Sequence, residues 1–177
     1  METIFWYWNM VHYCIYLFFN NISNLMNYIN PLYYFLKIPS VKRFYAKRNI
    51  DDMHGAIRNV VNNPSTGINS VQAFGLLGGL LVLLLMGIYN TCQLFFTVSI
   101  SDWIFSNTTN SLEFLCFTIA PALLINYFVV FKEDRYLEYF KEFEKIDAHQ
   151  IKKYYVISLI TVIFIFSFFL VSFKFIK

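Results

Sequence analysis

Charge is scarce in this chain. Asp, Glu, Lys and Arg make up 14% of its 177 residues, where a soluble domain carries about a quarter. A soluble fold of this size has no way to hide the 58% of residues that are hydrophobic. Proline and glycine are also few, at 4 and 6, which excludes a collagen-like or Pro/Gly-rich low-complexity chain. Cys14, Cys92 and Cys116 lie in separate apolar runs with no CxxC pair, so neither a disulfide framework nor a metal cluster is expected. They read as small buried hydrophobes. No Lys or Arg precedes the first apolar run, METIFWYW, and no small-residue cleavage site follows it; a cleaved signal peptide is not expected, and the run stays as a span.

The chemistry of enzymes is equally thin. There is no glycine-rich phosphate loop, nucleophile elbow, kinase signature or HExxH, so no cofactor, metal or catalytic residue is assigned. The modest net charge of +3 does not argue for a nucleic-acid partner, whose binders normally show a concentrated basic face, and none is expected.

Long apolar runs and aromatics are what the chain does have. Aromatic residues reach 21%, with 21 Phe and 13 Tyr, which suits lipid contact and membrane interfaces. Crossing roughly 30 Å of hydrocarbon takes about 20 apolar helical residues. Windows that meet or approach that length put spans at about 4–20, 71–97, 111–131 and 154–173. The fold class expected is all-α: a single polytopic integral membrane domain over residues 1–177, a bundle of about four transmembrane helices with helical cytoplasmic extensions.

Helix start and stop signals refine the boundaries. After Phe19 the first run becomes Asn-rich, with Ile22, Leu25, Met26 and Ile29 at helical spacing; an amphipathic extension leaving the bilayer is expected to reach Pro31 or Pro39. Asn69 with Gln72, Asn110 with Glu113, and Asp147 with Gln150 each have the form of an N-cap and its partner. Pro121 is a candidate kink in the third span.

Orientation follows from the basic residues. Lys37, Lys42, Arg43, Lys47, Arg48 and Arg58 fall in the segment 37–69, and Lys132, Arg135, Lys141, Lys145, Lys152 and Lys153 in the segment 132–153. The segment 98–110 carries none. By the positive-inside rule the first two face the cytoplasm, while the third and both termini face outward. Trp6, Trp8 and Trp103 are then expected at the outer interface. In a bacterial cell the membrane would be the cytoplasmic one. Asn107-Thr108-Thr109 matches a glycosylation acceptor, a triplet common by chance.

Four groups of residues are candidates for function. On a helix, Tyr136, Tyr139, Phe140 and Phe143 form one aromatic stripe, laced by opposite charges at Arg135, Glu138, Lys141 and Glu144. As function this is a docking surface for a protein; as structure it packs on the first basic segment or on lipid headgroups, and the structural reading is favoured. On a helix Asp51, His54 and Arg58 share one face, with Asp52 beside them; this is either a weak metal or phosphate site or, as favoured, a short interfacial helix capped by Asn49. Gly75, Gly78 and Gly79 suit a tight helix contact, within the bundle or between copies. Away from the span ends, where Glu113 lies, His12 stands out as an ionisable side chain inside a span; beside Tyr13 near the outer interface it is read as solvated or locally bonded in preference to a proton relay, while Asn90 and Asn126 are read as interhelical hydrogen bonds.

Three functions compete. The first is a non-enzymatic accessory or interaction subunit, including a membrane-resident immunity-type protein, with the lipid bilayer and either a protein partner or further copies as its partners. The second is a small oligomeric channel or transporter component. The third is a membrane-embedded enzyme using Asp51, Asp52 and His54.

Overall fold

The computed structural model describes residues 2–48, 50, 52–93 and 106–175. Among these residues the fold is all-helical, with no strand. Its elements are α1 (Glu2–Ile29), α2 (Pro31–Leu36), α3 (Pro39–Ala46), α4 (Met53–Val61), α5 (Ile68–Cys92), α6 (Thr108–Asn126), α7 (Arg135–Phe143) and α8 (Ala148–Ser172). A π-helical turn, Tyr127–Phe131, and a 3-10 turn, Lys132–Asp134, join α6 to α7.

Three stretches among the described residues, built on α5, α6 and α8, are long and apolar enough to cross a membrane. α1 has the length, at 28 residues, but Asn9, His12, Asn20 and Asn21 dilute its apolar character, so it does not join that set. Within α6 the polarity is inverted relative to a soluble helix: Thr118, Ala122 and Asn126 are buried, while Phe117, Leu123 and Leu124 are exposed. Polar residues inward and large apolar ones outward are what a lipid solvent selects.

The contacts fix the topology. Tyr89 donates to the Phe117 carbonyl at 3.2 Å and Phe74 packs edge-on to Phe131 at 4.5 Å, so α5 and α6 run antiparallel. Gly87 lies against Phe168, and Asn90 donates to Ser172 at 3.0 Å, so α5 and α8 run parallel. Tyr7 bonds Thr161 and Asn21 reaches Tyr155, which sets α1 antiparallel to α8.

α1 sits against one half of this bundle. Its partners, including Asn69, Phe131, Tyr154 and Thr161, lie toward the end where α5 and α8 begin, here the near end. Every residue from 9 to 16 is buried, so this stretch is enclosed on all sides instead of presenting one face. Trp6 is correspondingly not at the far interface: its ring meets Phe143 at 5.6 Å and Tyr154 at 5.5 Å, both at the near end. Trp8 is partly buried with its Nε1 enclosed, and Trp103 lies outside the described residues.

Capping follows the physics of the first turn, in a different register from two of the three expected sites. Asp147 caps α8, accepting from the backbone N–H of His149 at 2.8 Å and of Gln150 at 2.9 Å. α6 is capped by Asn107, which accepts from Asn110 N–H at 2.8 Å, so the expected Asn110 cap is displaced by three residues. α5 starts at Ile68 with Gly67 in the cap position, leaving Asn69 inside the helix and free to bond across to α1. α1 ends before Pro31 as expected, yet Leu25, Met26 and Ile29 are exposed while Asn20 and Ser23 turn inward to Asn69. The apolar face of the extension is thus the outer one. Pro121 is housed within α6.

Candidate functional site

The most developed site is an aromatic and polar interior at the near end, built by folding α7 back onto α1. Glu133 (φ 61°) and Asp134 (φ 52°) both adopt left-handed backbone, and these consecutive residues turn the chain after the π-helical turn. Such conformations cost a non-glycine residue about 1–2 kcal/mol each. What they achieve is to lay the stripe of α7 over α1. Tyr136, Phe140 and Phe143 are buried, and Tyr139 packs against the same core. Phe140 meets Tyr13 at 4.9 Å in the edge geometry that aromatic quadrupoles favour, and Tyr16 at 5.1 Å with the rings tilted.

The stripe is therefore an internal wall, not a free docking surface, and its cover is α1 instead of the first basic segment or lipid headgroups. The ion pairs expected along it do not form: among the described residues the ion pair is Lys132–Glu133 at 3.8 Å. Arg135 turns instead to the Phe5 ring, 4.9 Å from its guanidinium carbon, and donates to the Phe128 carbonyl at 3.2 Å. Exposed charge pairs gain little in water, so a cation–π contact and a bond to a turn carbonyl compete well with them.

His12 lies at the centre of this enclosure. Its ring centroid is 5.2 Å from Phe140, 5.7 Å from Tyr136 and 6.1 Å from Phe131. The side chain is fully buried and neither Nδ1 nor Nε2 has a hydrogen-bond partner. The expectation of a solvated or locally bonded histidine is overturned, because α7 folds over the position that would otherwise face solvent. One helical turn earlier, Asn9 donates from Nδ2 to the Phe5 carbonyl at 2.8 Å and across to the Val129 carbonyl at 3.1 Å, in the π-helical turn. Asn126, at the end of α6, is buried with both amide atoms unpartnered, so the hydrogen bond expected of it is absent; Asn90 makes its bond, to Ser172.

A second polar centre joins α1 to the start of α5. Asn69 donates to Asn20 Oδ1 and to Asn62 Oδ1 and accepts from Ser23 Oγ, each at 2.8 Å. Tyr16 donates to the Asn62 carbonyl, extending the network toward Phe140. Asparagine richness was visible in the sequence, but its use as a hub was hidden by the capping pattern at the same residue.

The remaining candidates are dispersed. Asp52 caps α4 by accepting from Gly55 N–H at 2.9 Å, His54 is half-buried and Arg58 is exposed in the last turn; Asp51 and Asn49 lie outside the described residues. Among the described residues no three His, Cys, Asp or Glu side chains gather as metal ligands. Gly75 and Gly79 face open space, with nothing within 4 Å of where a Cβ would stand, while Gly78 faces Asn126 Nδ2 at 3.6 Å. The close contact between helices falls on Gly87, where a Cβ would lie 2.7 Å from the Phe168 ring.

As chemistry, the site offers enclosed hydrogen-bonding atoms and ring faces at His12, with no group of metal ligands among the described residues. No protein-family model, curated protein or solved structure matches the chain.

Proposed function

We propose that this is a multi-pass membrane protein that crosses the bilayer on α5, α6 and α8, with α1 packed into the near half of the bundle, the segments 37–69 and 132–153 and the start of α1 on the cytoplasmic side and the C-terminus outward, acting without catalysis as an interaction subunit. The observation that carries the reading is the open ridge of α5. Gly75 and Gly79, four residues apart on one face, have nothing within 4 Å of their absent side chains. Small residues at this spacing let a second helix approach backbone to backbone, where dispersion and weak polar contacts accumulate without a hydrophobic driving force. With the α7 stripe buried, the interaction surface moves from the cytoplasmic hairpin to the membrane face, and the partner is a transmembrane helix of another protein or of a second copy.

The test is association in gently solubilised membranes. The wild-type chain is expected to run with a partner or as an oligomer, and Gly79→Leu to release a folded monomer. A wild-type chain that is monomeric under those conditions would sink the reading.

A small oligomeric channel or transporter component is the second reading, favoured by the buried, unpartnered polar atoms of His12 and Asn126. It predicts solute or ion flux in reconstituted vesicles, lost on Gly79→Leu. No observation favours catalysis at Asp52 and His54.

A further inference from the structure

At the near end, where α1 begins and α7 crosses it, an open groove of about 640 Å³ is lined by Glu2, Thr3, Phe5, Trp6, Arg135 and Tyr139. We propose that this groove holds the head group of a zwitterionic, amine-bearing phospholipid, with the phosphate on Arg135 and the ammonium between the Glu2 carboxylate and the aromatic walls of Trp6 and Tyr139.

Three features point to that ligand. Arg135 is held in place before any ligand arrives, stacked over Phe5 and bonded through Nη1 to the Phe128 carbonyl. A guanidinium fixed on one edge keeps donors on its other edge for a phosphate, with little ordering left to lose. Glu2 lines the same groove yet forms no ion pair with Arg135 among the described residues. An acid and a base that share a groove without neutralising each other complement a ligand carrying both signs, and Glu2 disfavours one carrying only negative charge. The Trp6 and Tyr139 side chains line the groove; they are amphipathic aromatics of the kind found at headgroup depth, and aromatic rings attract an ammonium ion.

The inference rests on the membrane placement proposed above, which puts the near end in a headgroup layer. The experiment separates the two. Alkaline carbonate extraction of native membranes tests placement alone: a chain washed into the supernatant overturns both. The full chain, purified in mild detergent, is then titrated by native mass spectrometry with phosphatidylethanolamine, phosphatidylglycerol and free phosphoethanolamine. The expected result is retention of phosphatidylethanolamine over phosphatidylglycerol by roughly ten-fold, the scale of one good charge contact. Free phosphoethanolamine should bind far more weakly than the lipid. Glu2→Gln, an exposed first-turn change that leaves the fold intact, should make the two lipids equal, and Arg135→Gln should lose both. Equal retention by the wild type, or a preference unmoved by Glu2→Gln, overturns the proposal even if Arg135→Gln fails to fold. Free phosphoethanolamine binding as tightly as the lipid overturns the lipid as the source.

Discussion

Gly87 and Phe168 touch so closely that a Cβ on residue 87 would stand 2.7 Å from the phenyl ring and 3.5 Å from the backbone of Phe169. This is where α5 and α8 are pressed together, and Phe168 is itself stacked on Phe164, so the ring has little room to yield. Gly87→Leu is expected to part the helices and cost about 1–3 kcal/mol, the usual penalty of overpacking. Gly79→Leu, on the open face, should stay within about 0.5 kcal/mol in the monomer. Unfolding in graded denaturing detergent compares the two; equal destabilisation would contradict the assignment of one glycine to the inside and the other to the outside.

Asn69 concentrates three side-chain bonds that tie α1 to the segment before α5. Removing them with Asn69→Ala leaves half-buried acceptors on Asn20 and Asn62 without their donor, at an expected cost of about 1 kcal/mol. A double-mutant cycle with Asn20→Ala should return a coupling of about 0.5 kcal/mol or more, as for contacting residues. Strict additivity would mean that the two amides do not share a bond.

How much of this was legible depends on the range of the interaction. Asp147 was readable as a cap because its carboxylate acts on the backbone two and three residues ahead, and nothing nearby competes. Asn69 and Asn110 carried the same local pattern, but Gly67 and Asn107 lay close upstream, and the chain used those instead. The aromatic stripe on α7 was readable as a stripe; its cover was not, because that depends on the left-handed pair Glu133 and Asp134, residues with no intrinsic preference strong enough to announce a reversal. Gly75, Gly78 and Gly79 formed the visible motif, while the contact at Gly87 depends on which face of α5 meets α8. Hydropathy found α5, α6 and α8 at once. It treated α1 as a fourth of the same kind, whereas α1 is an enclosed helix whose polar side chains serve the interior of the near half.

His12 gives the third prediction. Its two ring nitrogens are buried without partners, and a stranded polar group of this kind costs about 1–3 kcal/mol of desolvation. Leucine fills a similar volume and carries no such cost. His12→Leu should therefore raise the melting temperature of the purified protein, by an amount limited by the ring contacts it gives up to Phe131, Tyr136 and Phe140. A stabilised variant that no longer binds its partner or supports flux would mark His12 as retained for activity. A destabilised variant would mean that the ring contacts outweigh the desolvation of the imidazole.

The path of α1 decides the topology, and single cysteines can follow it. In a background with Cys14, Cys92 and Cys116 replaced by alanine, Ser106, Ser40, Glu144 and Thr3 are each exposed and each changed to cysteine in turn. With a membrane-impermeant maleimide on intact cells or oriented vesicles, Ser106→Cys should label from outside, and Ser40→Cys and Glu144→Cys only after permeabilisation, because the basic segments stay with the cytoplasm. Thr3→Cys is the discriminating position. If α1 crosses, residue 3 labels with Ser106. If α1 only enters the near half of the bundle, where Asn69, Tyr154 and Thr161 hold it, residue 3 labels with Ser40. That second pattern would leave three crossings and put the two termini on opposite faces.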